Sequence, residues 1–201
     1  MIMKNYSGRS VVCFDIGNVL VELGPPIESW LEPSDASKFK ALLHDYSIGN
    51  VGSSSFFQNL NAISRHQINE IPVENWFTEK RLVGPFAGAA KLLSKLADQK
   101  VEIYLFSNTN ETHWNHVKTY LLAHDRAFLS FLMKKKKPDA EAFKHVERSI
   151  RAYGKDIIFF DDSPVNIEVA NRIGWNGYLA VGKNPIEGVK KILKELHRMD
   201  V

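Results

Sequence analysis

Val11-Val12-Cys13-Phe14-Asp15-Ile16-Gly17-Asn18-Val19-Leu20 is the stretch that decides how this chain folds. Its first four residues are apolar without alternation, the pattern of a strand buried on both faces of a parallel sheet. A carboxylate then ends the run, and Gly17-Asn18 marks a sharp exit, because both residue types tolerate positive φ. Asp15 reads equally as a turn cap or as an acid presented at a sheet edge. Cys13 is the single cysteine and sits inside the apolar run, so it reads as a small core hydrophobe rather than a reactive thiol. One cysteine allows no intrachain disulfide and fits a reducing compartment.

Outward from this stretch, apolar runs at 101–106, 127–133, 157–160 and 178–181 repeat the pattern, and the first strand is expected over 10–14. Amphipathic helical spacing fills 86–98, 111–124, 140–153, 165–173 and 185–199. Strands alternating with helices predict an α/β core, Rossmann-like, with a parallel five-stranded sheet. The alternation breaks between residues 24 and 85, where no strand is evident. Helices are predicted there at 34–46, with Ser34 as N-cap, at 53–63, opened by Ser53-Ser54-Ser55, and at 73–82. The predicted organisation is a core of residues 1–21 and 86–201 carrying a small α-helical cap over 22–85.

The 201 residues are 44% hydrophobic and 24% charged, with net charge +3, enough for one substantial core and too mild a charge to imply nucleic acid. The N-terminal MIMKNYSGRS lacks a signal-peptide core, and no run approaches the ~20 apolar residues of a membrane span. A soluble, cytoplasmic protein is expected.

Four segments can carry chemistry, and in open parallel sheets ligands bind at the carboxyl ends of strands. Asp15 ends the first strand. Ser107-Asn108-Thr109-Asn110 follows the second apolar run, where a hydroxyl and free N–H groups at a helix start either cap the helix or bind an anion. Lys137 closes Lys134-Lys135-Lys136-Lys137 and precedes Pro138-Asp139. Most of that run reads as a solvated face, but Pro138 fixes the chain beside Lys137, whose ammonium can meet a phosphate as a point charge. Asp161-Asp162 follows Phe159-Phe160. Two adjacent acids there either cap a helix or hold a hard cation such as Mg²⁺, and their strand-end position favours the cation.

Taken in order, these segments resemble the haloacid dehalogenase-like superfamily, from about residue 10 to the C-terminus. Phe14–Leu20, Ser107-Asn108-Thr109-Asn110 and Phe159–Glu168 are similar to the branch of bacterial α-D-glucose-1-phosphate phosphatases, which also has Gly-Asn in the first motif and a small helical cap after it. The resemblance implies a Mg²⁺-dependent phosphatase of a small phosphorylated metabolite, with sugar phosphates leading. Asp15 would attack phosphorus. Mg²⁺ would be held by Asp15, the Gly17 carbonyl and Asp162, with Asp161 holding a metal-bound water or orienting Lys137. Ser107, Asn108 and Lys137 would bind the phosphoryl oxygens, and Lys137 would also neutralise charge on the nucleophile.

The sequence departs from the superfamily at Gly17, where most phosphatases carry a second aspartate as general acid. Loss of such an acid costs about 10²–10⁴-fold. His113, just after the Ser107 loop, is a candidate substitute, against the alternative of a surface-helix histidine. Lys134 stands where relatives often have glycine. Two other functions remain open: dehalogenation of a 2-haloacid, which uses the same nucleophile without metal, and a binding protein that has lost catalysis. Neither nucleic acid nor membrane is an expected partner.

Overall fold

The computed structural model describes residues 11–64 and 72–201. In chain order the elements are β1 (Val11–Phe14), β2 (Val21–Leu23), a 3-10 turn (Ile27–Trp30), α1 (Pro33–Ser47), α2 (Ser53–Ser64), α3 (Val73–Glu79), β3 (Leu82–Pro85), α4 (Ala89–Asp98), β4 (Glu102–Ser107), α5 (Glu111–Val117), β5 (Ala127–Leu129), α6 (Ser130–Met133), α7 (Ala140–Ile150), β6 (Ile157–Asp161), α8 (Pro164–Arg172), β7 (Asn176–Leu179) and α9 (Pro185–His197).

Five parallel strands run in the order β5-β4-β1-β6-β7. Central β1 alternates its side chains between two cores, as a pleated strand must. Val12 and Phe14 pack with Leu92, Leu93 and Leu96 of α4 and Ile186, Val189 and Leu193 of α9. Val11 and Cys13 pack on the other face with Phe143 and Val146 of α7, Phe159 and Trp175. Each of the α4 leucines is fully buried, worth about 1.5–3 kcal/mol of transfer free energy apiece. Cys13 is likewise fully buried, and burial raises its thiol pKa well above the usual range, so it is an inert core residue.

Strand register sets up everything functional. Phe14 lies level with Leu105 on one side and Phe160 on the other. The residues that follow, Asp15, Phe106-Ser107 and Asp161-Asp162, therefore emerge at one sheet edge.

Helices α1, α2 and α3 form an insertion with its own apolar cluster, built around Phe39, Tyr46, Phe56, Phe57, Leu60, Trp76 and Phe77. Three corrections apply here. Residues 82–85 are strand β3, paired antiparallel with β2; the half-exposed Leu82-Val83-Gly84-Pro85 lacks the buried apolar run that reveals core strands. Ser34 is not the N-cap of α1, which begins at Pro33 with Glu32 before it, because proline suits the first helical turn. Helix α3 also ends at Glu79, short of 82.

In the core, the apolar run 127–133 is strand only to Leu129, and Ser130–Met133 turns helical. Lys134 ends that turn at φ 53, a left-handed conformation in which glycine is ordinarily favoured. The helix expected over 111–124 stops at Val117 and a single 3-10 turn follows. Helix α4 starts at Ala89, after Gly88 at φ 89, and α7 stops at Ile150, before Arg151 at φ 53. The last strand is Asn176–Leu179 rather than 178–181. Residue 10, the expected start of β1, lies outside the described residues. Among the described residues no helix is long and apolar enough to cross a membrane.

Candidate active site

Asp15 leaves β1 tied to its neighbour by an Asp15 N–H to Phe160 carbonyl bond of 2.8 Å. The exit turn that follows places Asn18, not Gly17, in the left-handed region, at φ 54. Backbone bonds from Leu20 and Val21 to the Ile16 carbonyl close this turn. The Asn18 side chain donates to Asp162 Oδ2 at 2.9 Å and its carbonyl oxygen accepts from the Leu23 N–H at 3.3 Å. One residue thus joins the exit turn to the acidic pair.

Lys137 is almost completely buried, at 2% exposure. Its ammonium donates to the Phe106 carbonyl and to Asp161 Oδ2, both at 2.6 Å, and stands 3.0 Å from Asp15 Oδ1. Burial opposes the charged form, but the Asp15 and Asp161 charges outweigh it and raise the lysine pKa. Asn108 fixes the lysine from behind: its amide donates to the Lys137 carbonyl at 2.7 Å and its oxygen accepts from the Lys137 N–H at 2.9 Å. Asp161, fully buried, spends both oxygens internally, Oδ2 on Lys137 and Oδ1 on the Ser163 N–H and the Asn166 amide. Of the two roles open to Asp161, orienting Lys137 is the one its contacts serve.

Burial raises the Asp15 pKa to about 6, countered by Lys137, reinforced by the Asp161 charge and countered again by the Ser107 side chain. Its Oδ1 is buried without a hydrogen bond of proper geometry, despite the nearby ammonium. Carboxylate oxygens of Asp15, Asp161 and Asp162 lie within 4.8 Å of one another. Three carboxylates against one ammonium leave two negative charges. A hard divalent cation fits that deficit and the all-oxygen donor set. Asp15 and Asp162 are the acids free to hold it, with Gly17 in the same turn.

A cleft of about 370 Å³ opens beside this cluster, between the sheet edge and the helical insertion. Its floor includes Gly17, Ser107 and Asn108. A Cβ on Gly17 would stand 2.7 Å from Cδ1 of Leu23, the movable end of that side chain, which would have to shift to admit a larger residue.

His113 is not the surface histidine that its helix position suggested. Its ring stacks on Phe77 of α3 with centroids 4.3 Å apart. Nε2 donates to the Phe77 carbonyl at 3.3 Å, which leaves Nδ1 to accept from Asn110 at 3.1 Å. Burial lowers its pKa to about 4, so the ring is neutral near pH 7 with both nitrogens engaged. It serves as a clamp between insertion and core and has no proton free for the cleft. Tyr46 adds a second clamp: its hydroxyl lies 2.6 Å from Thr112 Oγ1 and 2.9 Å from Ser53 Oγ. Ser130 supplies a third, its hydroxyl within hydrogen-bond distance of the Ser47 and Thr109 carbonyls.

Sequence reasoning missed Asn18, Asn166 and Arg81. Arg81, at the start of the return ribbon, lines the cleft and donates to the Gly24 carbonyl. Burial lowers its pKa, against the Glu28 and Asp162 carboxylates. The two asparagines offered no spacing signal, since their partners lie on other elements or across a turn. Lys134, Lys135 and Lys136 point to no shared site; Lys136 contacts His44.

The sequence signature of haloacid dehalogenase-like hydrolases matches residues 10–174. The sesquiterpene phosphatase of Aspergillus oryzae is 24% identical over 172 residues, covering 82% of this chain and 86% of that one. A chloroplast flavin mononucleotide hydrolase of Arabidopsis thaliana is 35% identical over 94 residues, 45% of this chain and 38% of the relative. The crystal structure of a HAD family enzyme from Bacteroides thetaiotaomicron superposes with TM-score 0.79 at 22% identity, over 91% of this chain and 98% of that one. Its complex with magnesium and inorganic phosphate gives TM-score 0.72, at 23% identity over 88% and 96% of the two chains. With a signature spanning most of its length and a sheet whose register gathers all four motifs at one edge, this chain belongs to the haloacid dehalogenase-like hydrolases.

Proposed function

We propose that the protein is a Mg²⁺-dependent phosphatase of a small phosphorylated metabolite, with Asp15 as nucleophile. The observation that carries this reading is the Asp15 carboxylate itself, held 3.0 Å from the Lys137 ammonium, with an oxygen within 4.8 Å of those of Asp161 and Asp162. Two relatives named for hydrolysing phosphorylated compounds support it, and the neighbour crystallised with magnesium and phosphate is consistent with it.

In this mechanism an Asp15 oxygen attacks phosphorus while the P–O bond to the alcohol breaks, giving an aspartyl-phosphate. Ser107 and the Asn108 N–H bind the equatorial oxygens, and Lys137 offsets charge on both nucleophile and phosphoryl group. Asp161 and the Asn108 side chain act by holding that lysine in place. Asp15 and Asp162 would hold Mg²⁺, which supplies charge neutralisation at the phosphoryl oxygens. Water then attacks the phosphorus of the intermediate and releases Asp15. With Gly17 in place of an acid and His113 fully engaged, the departing alkoxide takes its proton from cleft water. The helical insertion acts as the cap that bounds the substrate.

Steady-state phosphate release with p-nitrophenyl phosphate and a phosphometabolite panel, sugar phosphates included, tests this reading. Turnover is expected to require Mg²⁺ and to fall at least about 10³-fold in Asp15→Asn. Metal-independent dehalogenation of a 2-haloacid would replace the phosphatase reading. One observation favours a second reading, phosphate binding without turnover: position 17 is a glycine and offers no side-chain acid to the leaving group. Phosphate affinity without release in any assay of the panel would select it.

A further inference from the structure

Resting on the phosphatase reading, we propose that the group esterified to phosphate is apolar, an aryl or hydrocarbon body rather than a sugar. The cleft runs from the Ser107-Asn108 floor up a wall made by Leu23, Pro26, Ile27, Leu43, Phe77 and Val117. A sugar brings several hydroxyls, and each one desolvated without a partner costs binding energy. Most of the neutral polar side chains on this wall are already engaged within the protein. Ser47 Oγ donates to the Leu43 carbonyl at 2.5 Å. Asn110 and His113 bond each other through ring and backbone, at 3.1 and 3.0 Å. Asn108 is taken up by the Lys137 backbone. Arg81 is bound to the Gly24 carbonyl and faces the Glu28 carboxylate. With the Ser107 hydroxyl on the Asp15 carboxylate, this leaves the Thr109 hydroxyl and the Glu28 carboxylate as the lining groups open to a substrate hydroxyl among the described residues. The volume, about 370 Å³, lies within the range of small-molecule pockets.

The test uses the full chain with Mg²⁺ and a series of 4-alkylphenyl phosphates from methyl to hexyl. The phenol pKa stays nearly constant along that series, so the slope reports the cleft and not leaving-group ability. kcat/KM is expected to climb about fourfold per methylene until the cleft is filled. Glucose 1-phosphate, whose anomeric oxygen also departs readily, is expected at least about tenfold below the hexyl member. Leu43→Asn is expected to lower the hexyl-to-methyl ratio about tenfold, a readout that cancels any loss of folded protein. A flat series, or glucose 1-phosphate equal to or better than the hexyl ester, overturns the proposal while leaving the phosphatase reading standing. No turnover of p-nitrophenyl phosphate or any other ester overturns both.

Discussion

The two sides of the cleft are stabilised in opposite ways. On the core side, Asp15, Asp161 and Lys137 are charges removed from water and balanced against one another. On the insertion side, Tyr46, Phe56, Phe57 and Phe77 pack with ring centroids 4.2–6.3 Å apart, mostly edge to face, and the Tyr46 hydroxyl and the Phe77 carbonyl are paired with Thr112 and His113 of the core. The second arrangement is the usual way a fold gains stability, and the first is the one the proposed phosphatase chemistry would use. Buried charge is retained where a reaction needs it, and the surrounding fold offsets its desolvation.

Lys137→Met puts the contrast under the greatest stress. It leaves Asp15 and Asp161 without their cation, and metal-free stability is expected to fall by about 3–5 kcal/mol in urea titrations. A loss below about 1 kcal/mol would mean that the carboxylates do not depend on the lysine.

The next largest effect belongs to His113. Its folded pKa is about 4 against 6.5 when unfolded, so between those values the unfolded chain binds more protons. Stability is therefore complete above pH 6.5 and is lost as pH falls toward 4, by about 2 kcal/mol after discounting for partial exposure. In His113→Gln this acid-side decline is expected to flatten.

Asp15 works in the reverse sense. The folded protein keeps the Asp15 proton up to about pH 6, whereas the unfolded chain releases it near 3.8. Stability is lost as pH rises across that window, partly masking the histidine decline. Asp15→Asn is expected to stabilise the metal-free protein by about 1 kcal/mol at pH 7, with the gain disappearing below pH 4, as read from thermal midpoints at several pH values. A destabilised variant would show that the carboxylate is held for stability as well as chemistry.

The smallest effect is at Ser53, whose hydroxyl bonds Tyr46 and Glu111 at the edge of the insertion. Ser53→Ala is expected to cost about 0.5–1 kcal/mol by chemical denaturation, with no change in pH profile.

Much of the core was legible because its strands are fully buried, so Val11–Phe14 and Ile157–Phe160 carry unbroken apolar runs that point to the acids at their ends. Ser107 and Lys137 followed from the same logic, one closing a strand and the other fixed beside Pro138. Legibility failed where tertiary contact decides. The β2–β3 pair is short and half-exposed, so no alternation announces it. Helix α5 carries apolar residues past Val117, yet the chain leaves the helix there. His113 looked exposed because the Phe77 that covers it lies 36 residues away. Asn18 and Asn166 hold the acids through side-chain bonds that leave no periodic trace.

The β2–β3 ribbon has a consequence for how such a protein changes over time. The chain departs for the helical insertion and returns from it along two strands lying side by side, with Glu22 opposite Gly84. Both junctions thus coincide, and a foreign helical unit could be grafted there in a single exchange without redrawing the sheet. Diversity of substrate can then accumulate on one side of that doorway while the aspartate and its lysine stay as they are.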